Sequence, residues 1–236
     1  MGITLAQRGV DAKSNEIPAV QALLKELNIE GTMIVADALN CQKETAEIIV
    51  KQKADYLLCV KDNHPILKQD IEDFIQDEPC RKTMHTISKM EKGHGRIEKR
   101  TAYVTDMIDW LEQKKEWRNL SCIGAIHTEF KTEMGESSEW HYYISNRNLS
   151  PEELLHHARM EWAVESMHWL LDVHFEEDWC RIDSKTIQQN LNMLRKAAIN
   201  IIKLFKERTG TKKAISKIML NCLLDPFALL RLLSQN

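Results

Sequence analysis

Six side chains stand where their types and spacing suggest chemistry. Asp37 directly follows the apolar run Met33-Ile34-Val35-Ala36, and Lys61 follows Tyr56-Leu57-Leu58-Cys59-Val60. Short apolar runs of this kind make buried strands, and in open α/β sheets reactive side chains gather beyond the carboxyl ends of the strands. Asp37 is placed for a site by that rule, although it could equally do no more than cap the turn after it. Glu161, Glu165, His168 and Asp172 recur at three- and four-residue intervals, so they share one stripe of a helix. The rest of that helix is rich in apolar residues, including Trp162, Met167, Trp169 and Leu171. This predicts a buried helix whose carboxylates are either structurally paired or bound to metal. Trp162 and Trp169, seven residues apart, read as core.

Charge is distributed to match. Residues 161–178 hold six carboxylates and no Lys or Arg, a net of −6, whereas residues 195–213 hold seven basic residues against Glu207, a net of +6. An anionic segment beside a cationic one suits a site that holds a divalent cation and tracks a phosphate backbone. Two solvated, mutually attractive faces would give the same pattern.

The elements that must position these residues fall into three parts: an α/β part at 1–78, a β-rich insertion at 79–148 and helices at 149–236. Ile3 to Val10 alternates well enough for a strand. Asn15 can cap a helix with Pro18 in its first turn, running to about Leu27, and a turn follows at Gly31. The strands ending at Asp37 and Lys61 alternate with helices at Gln42–Lys53 and Pro65–Ile75, the order of an α/β fold. β-type runs follow at 97–104, 121–127 and 140–145. Ser150-Pro151-Glu152-Glu153 then offers an N-cap, a Pro at the first helical position and a capping-box Glu, with helical periodicity to the end. No internal repeat is evident.

Composition narrows the class. The 236 residues, 43% hydrophobic and 28% charged, suffice for one or two cores. With 8 Gly and 5 Pro there is no long low-complexity linker, and no run approaches the roughly 20 apolar residues of a membrane span. The six cysteines are widely spaced with no Cys-x-x-Cys pair, so they read as reduced thiols of a cytoplasmic protein. The first residues show neither a secretory signal nor a myristoylation pattern. A net charge of −3 does not by itself announce a nucleic-acid binder.

Several stretches, taken together and in order, resemble one family. Val35-Ala36-Asp37-Ala38-Leu39-Asn40-Cys41-Gln42, Gly93-His94-Gly95-Arg96-Ile97-Glu98 and Glu161-Trp162-Ala163-Val164-Glu165-Ser166-Met167-His168-Trp169-Leu170-Leu171-Asp172-Val173 strongly resemble the H-repeat-associated, ISAs-type insertion-sequence transposases. Lys13-Ser14-Asn15-Glu16-Ile17 and Phe175-Glu176-Glu177-Asp178 also match, and the resemblance spans roughly residues 5 to 205.

The resemblance implies an RNase H-like α/β core with an Asp, Asp, Glu triad that holds two Mg²⁺ or Mn²⁺ ions for DNA strand cleavage and transfer. Asp37 matches the second Asp and Glu165 the Glu, so these two are the expected catalytic and metal-holding residues. The family's first Asp lies in an Ile-Asp-Gly-Lys-like motif that does not occur here, and Asp11 matches a different position. Glu161 and His64 also depart from the family, whose members usually carry His and Gln there. The expectation is an N-terminally truncated member with an incomplete RNase H-like core and an incomplete metal site, inactive by itself. It would be a remnant of an inactivated element or the downstream part of an interrupted frame. Its sheet should be split, with the first strand of this chain at the far edge and an unpaired, aggregation-prone strand edge exposed.

DNA, as element ends and target, is the expected partner, alongside a second copy or a full-length transposase, with no membrane and a bacterial, nucleoid-associated, cytoplasmic location. Candidate phosphate contacts are Arg96, Lys99 and Arg100 beside the Gly93-His94-Gly95 turn, Lys61, and Lys203 and Lys206 on the basic helix. No helix-turn-helix or zinc finger places end recognition. Two other readings stay open: a non-catalytic DNA-binding or transposase-interacting protein, and an unrelated metal-dependent hydrolase built on Glu161, Glu165, His168 and Asp172. Trp110, Trp117, Trp140 and Trp179 read as packing residues.

Overall fold

The computed structural model describes residues 2–9, 16–93, 96–132 and 135–234, the side chains of 93, 96 and 161–166 excepted. The chain forms two compact units, residues 12–161 and residues 1–11 with 162–236.

The first unit is built on one mixed sheet. Helix α1 (Glu16–Glu26) leads through a turn at Gly31, whose φ of 73° suits glycine, into strand β1 (Met33–Ala36). Helix α2 (Lys43–Lys51) crosses to β2 (Asp55–Val60), which pairs with β1 in parallel, Ala36 opposite Leu58. This β1–α2–β2 unit is the α/β crossover that the apolar runs and helical spacing predict. Helix α3 (Pro65–Gln76) and the short α4 (Glu78–Lys82) follow. Four long strands then meander: β3 (His85–Gly93), β4 (Arg96–Thr105), β5 (Cys122–Thr132) and β6 (Gly135–Ser145). Antiparallel pairing of β6 with β2 joins them to the crossover, and the strand order is β1-β2-β6-β5-β4-β3.

Two expectations are corrected here. The sheet is not split, because β6 pairs along β2 and makes all six strands continuous. Nor do residues 2–9 form a strand. They run extended beside helix α6 (Lys185–Thr209), where the Asn200 carboxamide accepts from the Thr4 N–H at 2.8 Å and donates to the Thr4 carbonyl at 2.6 Å. A side chain takes the place of a neighbouring strand, and alternation alone cannot distinguish the two. Strand β1 is an edge of the sheet among the described residues. Strand β3 is an addition to the three expected runs. Its polar sequence hides it, but every residue pairs with β4.

Each face of the sheet is packed. Tyr56, Leu58, Ile123 and Ile144 join Ile49, Leu67, Ile71 and Trp117 in the larger core. On the other face Leu57, Ala102, Ile126 and Tyr143 meet Leu154, Leu155 and Ala158 of helix α5 (Pro151–Phe175). Leu154 lies over Gly124, where an added Cβ would come within 2.7 Å of its Cδ2. The predicted capping box is present: Glu153 N–H donates to Ser150 Oγ at 3.2 Å, and Ser150 N–H donates to Glu153 Oε2 at 2.8 Å.

The second unit is helical. It holds the later part of α5, then α6, α7 (Ile215–Leu224) and α8 (Pro226–Ser234). Its core is small, with Ile202, Ile218 and Leu232 buried and Phe205, Ile215 and Met219 packed around them. No helix among the described residues is long and apolar enough to cross a membrane.

Candidate metal centre and nucleic-acid interface

Asp37 emerges where β1 ends, on an exposed turn. Its Oδ1 accepts from the Asn40 N–H at 3.1 Å and from Asn40 Nδ2 at 3.0 Å. The carboxylate therefore does cap its turn, but with one oxygen. Asn40 Oδ1 is buried, with no hydrogen-bond donor reaching it among the described residues. The loop is braced from the end of β2: Asn63 Nδ2 donates to the Ala38 carbonyl at 2.6 Å, and His64 Nε2 lies 2.6 Å from the Cys41 carbonyl. The His64 ring meets buried Trp117 edge-on at 5.1 Å. Asn40, Asn63 and His64 were not foreseen as supports of the site. The only sequence signal was that polar residues follow both apolar runs. Cys41 is fully buried, and burial, then the nearby Cys59 and Asp37 charges, hold its thiol well above the ordinary range.

Glu165 lies on α5, and its side chain, like that of Glu161, is outside the described residues. Among the described residues no group of three or more His, Cys, Asp or Glu is arranged to hold a metal ion. The donor at the end of β1 that suits a hard divalent cation is the Asp37 carboxylate, with one oxygen uncommitted to the turn. The buried-helix expectation is corrected for the described side chains from 167 on, where Leu171 is buried but its neighbours are not, while Trp162 lies outside the described side chains. Trp169 is 56% exposed and touches His174 edge-on at 5.3 Å, Val173 is exposed, and His168 faces solvent. Of the four tryptophans read as packing, Trp117 is buried and Trp110 stacks on Phe74 at 4.6 Å. Trp140 stacks on His127 at 4.3 Å, while Trp179 is largely exposed.

The basic candidates divide by their partners. Lys61 is exposed directly after β2. Lys99 donates to Glu129 at 2.7 Å, and Arg100, largely buried, pairs with Glu98 and lies 3.6 Å from Glu91. Glu91 is held from α5 as well: Arg159 grips both its oxygens, Nη2 at 3.2 Å from Oε2, and keeps the carboxyl below its ordinary pKa. These four charges tie the β3–β4 hairpin to α5. Arg96's side chain is outside the described residues. On α6, Lys203 donates to the Gly2 carbonyl and its pKa is lowered by burial, while Lys206 is half-buried. All six cysteines are free thiols.

A family model described as "Transposase DDE domain" matches residues 1–201. The chain belongs to the DDE transposases. Relatives of this transposase chain include "Putative transposase YncI" of Escherichia coli O157:H7, 33% identical over 227 residues that make up 93% of this chain and 58% of the relative. "H repeat-associated putative transposase YhhI" of Escherichia coli K12 is 35% identical over 225 residues, 91% of this chain and 59% of the relative. The transposase chain thus spans somewhat under three-fifths of the length of these curated relatives. A solved structure, the piggyBac transposase synaptic complex with hairpin DNA, is similar at 14% identity and a TM-score of 0.47, over 94% of this chain and 42% of that one.

Proposed function

We propose that this chain takes part in DNA transposition by binding DNA and supplying Asp37 and Glu165 to a metal site for strand cleavage and transfer, and that its 236 residues alone bind DNA without completing the reaction. The observation that carries this reading is Asp37 itself. It stands at the carboxyl end of a parallel strand, with one oxygen fixed by Asn40 and the other uncommitted to the turn. Asn63 and His64 hold that loop against the end of β2, so the carboxylate is positioned before any ligand arrives. Asp37, with Glu165, would hold a divalent cation, which would supply activation of a water or 3′-hydroxyl and stabilisation of the leaving oxygen. Lys61, Arg96, Lys99, Arg100, Lys203 and Lys206 are the proposed phosphate contacts. Lys99 and Arg100 would exchange carboxylate partners for phosphate, whereas the contribution of Lys61 and the basic helix should fall steeply with added salt. The resemblance matches two of the family's three carboxylates, which is why binding without cutting is proposed.

Calorimetric titration of Mg²⁺ or Mn²⁺ into the wild type, Asp37→Asn and Glu165→Gln tests the metal reading. Binding weakened by both substitutions supports it, and binding indifferent to both, or none, overturns it. Salt-sensitive DNA binding with no Mg²⁺-dependent nicking supports the second half, and robust nicking by this chain alone overturns it.

A further inference from the structure

The sheet face covered by α5 ends in charge rather than in apolar contact. As far as Ala158 the helix packs on Leu57, Ala102 and Ile126. One residue later Arg159 reaches the β3–β4 hairpin, and a cavity of about 330 Å³ opens there. Lys89, Glu91, Glu98 and Arg100 of the strands wall it on one side, with His156 and Arg159 of α5 on the other. The register sets Glu91 directly opposite Glu98 and Lys89 directly opposite Arg100. Like charges opposite one another destabilise a strand pair, so each of these pairs needs the other, and Arg159 adds a further cation from the helix. The two carboxylates differ in how firmly they are held. Glu98 is buried and pairs with Arg100, whose side chain is only 13% exposed. Glu91 is 47% exposed: Arg159 grips both its oxygens, and Oε2 also lies 3.6 Å from Arg100 Nη1.

We propose that this cavity is a phosphate-binding site whose place is held by the Glu91 carboxylate until a phosphate displaces it. An oxyanion between two guanidiniums is the arrangement in which arginines hold phosphate as well as carboxylate. Magnitudes favour the exchange. A carboxylate–arginine pair half in water contributes no more than about 1 kcal/mol, so Glu91 leaves at little cost. Lys89 and His156 line the cavity without a hydrogen bond to Glu91 among the described residues, and they would add donors that the carboxylate does not use. Glu98 stays behind and keeps the buried Arg100 aimed at the cavity. The gripping arginine comes from α5 and the gate from β3, so occupancy would change what ties the hairpin to the helix. Where the phosphate is that of a DNA backbone, the proposal rests on the DNA-binding reading above; where it is free phosphate, it stands without that reading.

Two probes of the whole chain separate these sources: inorganic phosphate, followed by calorimetry, and a short DNA duplex, followed by fluorescence anisotropy. Glu91→Gln removes the competing charge with little change of shape and should raise affinity about tenfold, the scale of one charge-assisted hydrogen bond. Adding Arg159→Gln should abolish that gain. Both residues are about half exposed, so circular dichroism should show wild-type structure in each variant. Glu30→Gln makes the same charge change at the exposed pair with Lys53 and should alter affinity less than about twofold, because a distant surface charge is screened. A gain with the duplex assigns the site to the DNA backbone, a gain with inorganic phosphate alone assigns it to free phosphate, and either supports the proposal. No gain with either probe, a gain matched by Glu30→Gln, or one that survives Arg159→Gln would each overturn it. A wild type that binds no duplex would sink the DNA-binding reading, and the inorganic phosphate result would then decide this one.

Discussion

The two units dispose of their apolar side chains in opposite ways. In the sheet unit, long strands bury Tyr56, Ile123, Ile144 and Trp117 on one face and Leu57, Ile126 and Tyr143 on the other. Its exposed charges are largely drawn into pairs such as Lys99 with Glu129 and Lys43 with Glu116. The helical unit fully buries few large side chains, including Leu171, Ile202, Ile218 and Leu232, and leaves Leu223, Leu224 and Phe227 in solvent. The first unit closes over its own apolar surface and should unfold cooperatively. The second does not, so its stability should depend on what covers it.

That contrast can be tested with four substitutions in the sheet unit, each measured by urea unfolding under circular dichroism against Leu223→Ala. This substitution, at an exposed position of the helical unit, should change stability by less than about 0.5 kcal/mol. Trp117→Ala should cost most, about 3–5 kcal/mol, because it empties the centre of the larger core. A cost below about 1 kcal/mol would show that the sheet unit is as loosely packed as the helical one. Gly124→Ala should cost about 1–3 kcal/mol, since the new Cβ forces Leu154, and α5 with it, off the sheet. Ser150→Ala removes half of a reciprocal cap and should cost about 1 kcal/mol. Glu91→Gln should cost least, under about 1 kcal/mol, because the Arg159–Glu91 pair is half in water.

The last pair also sets a pH dependence. The folded-state pKa of Glu91 is lowered, so its contribution is present above the ordinary carboxylate range and is lost as pH falls through the lowered value. Between Glu91→Gln and wild type, the stability difference should vanish on acidification and be constant from pH 6 to 8. A difference that persisted in acid would remove the pair from the account.

The sequence was most legible where local and long-range rules agreed. Met33–Ala36 and Tyr56–Val60 are apolar throughout, as strands covered on both faces must be, and helical spacing between them forces the parallel crossover. Ser150 and Glu153 announce a helix start through contacts three residues apart, and the bonds are formed. Reading failed where the deciding partner lay far away in sequence. Residues 2–9 alternate like a strand but are satisfied by Asn200, almost two hundred residues on. Strand β3 is too polar to stand out and exists through its ladder to β4. Trp169 and Val173 are apolar by type and exposed in fact, because no element of the small helical core covers them. At the candidate site, Asp37 could be read from its position after a strand, whereas Asn63 and His64 could not. Their role is a contact between two loops whose proximity only the sheet creates.

The sealed thiol at Cys41 bears on which ions the loop after β1 can tell apart. A thiolate four residues from Asp37 would be a soft ligand and would draw zinc or copper(I) out of any mixed pool. Burial keeps this sulfur protonated and withdrawn from solvent, so the turn presents oxygen alone. If the proposed site at Asp37 holds an ion, the packing beneath the loop would favour a hard, oxygen-seeking one.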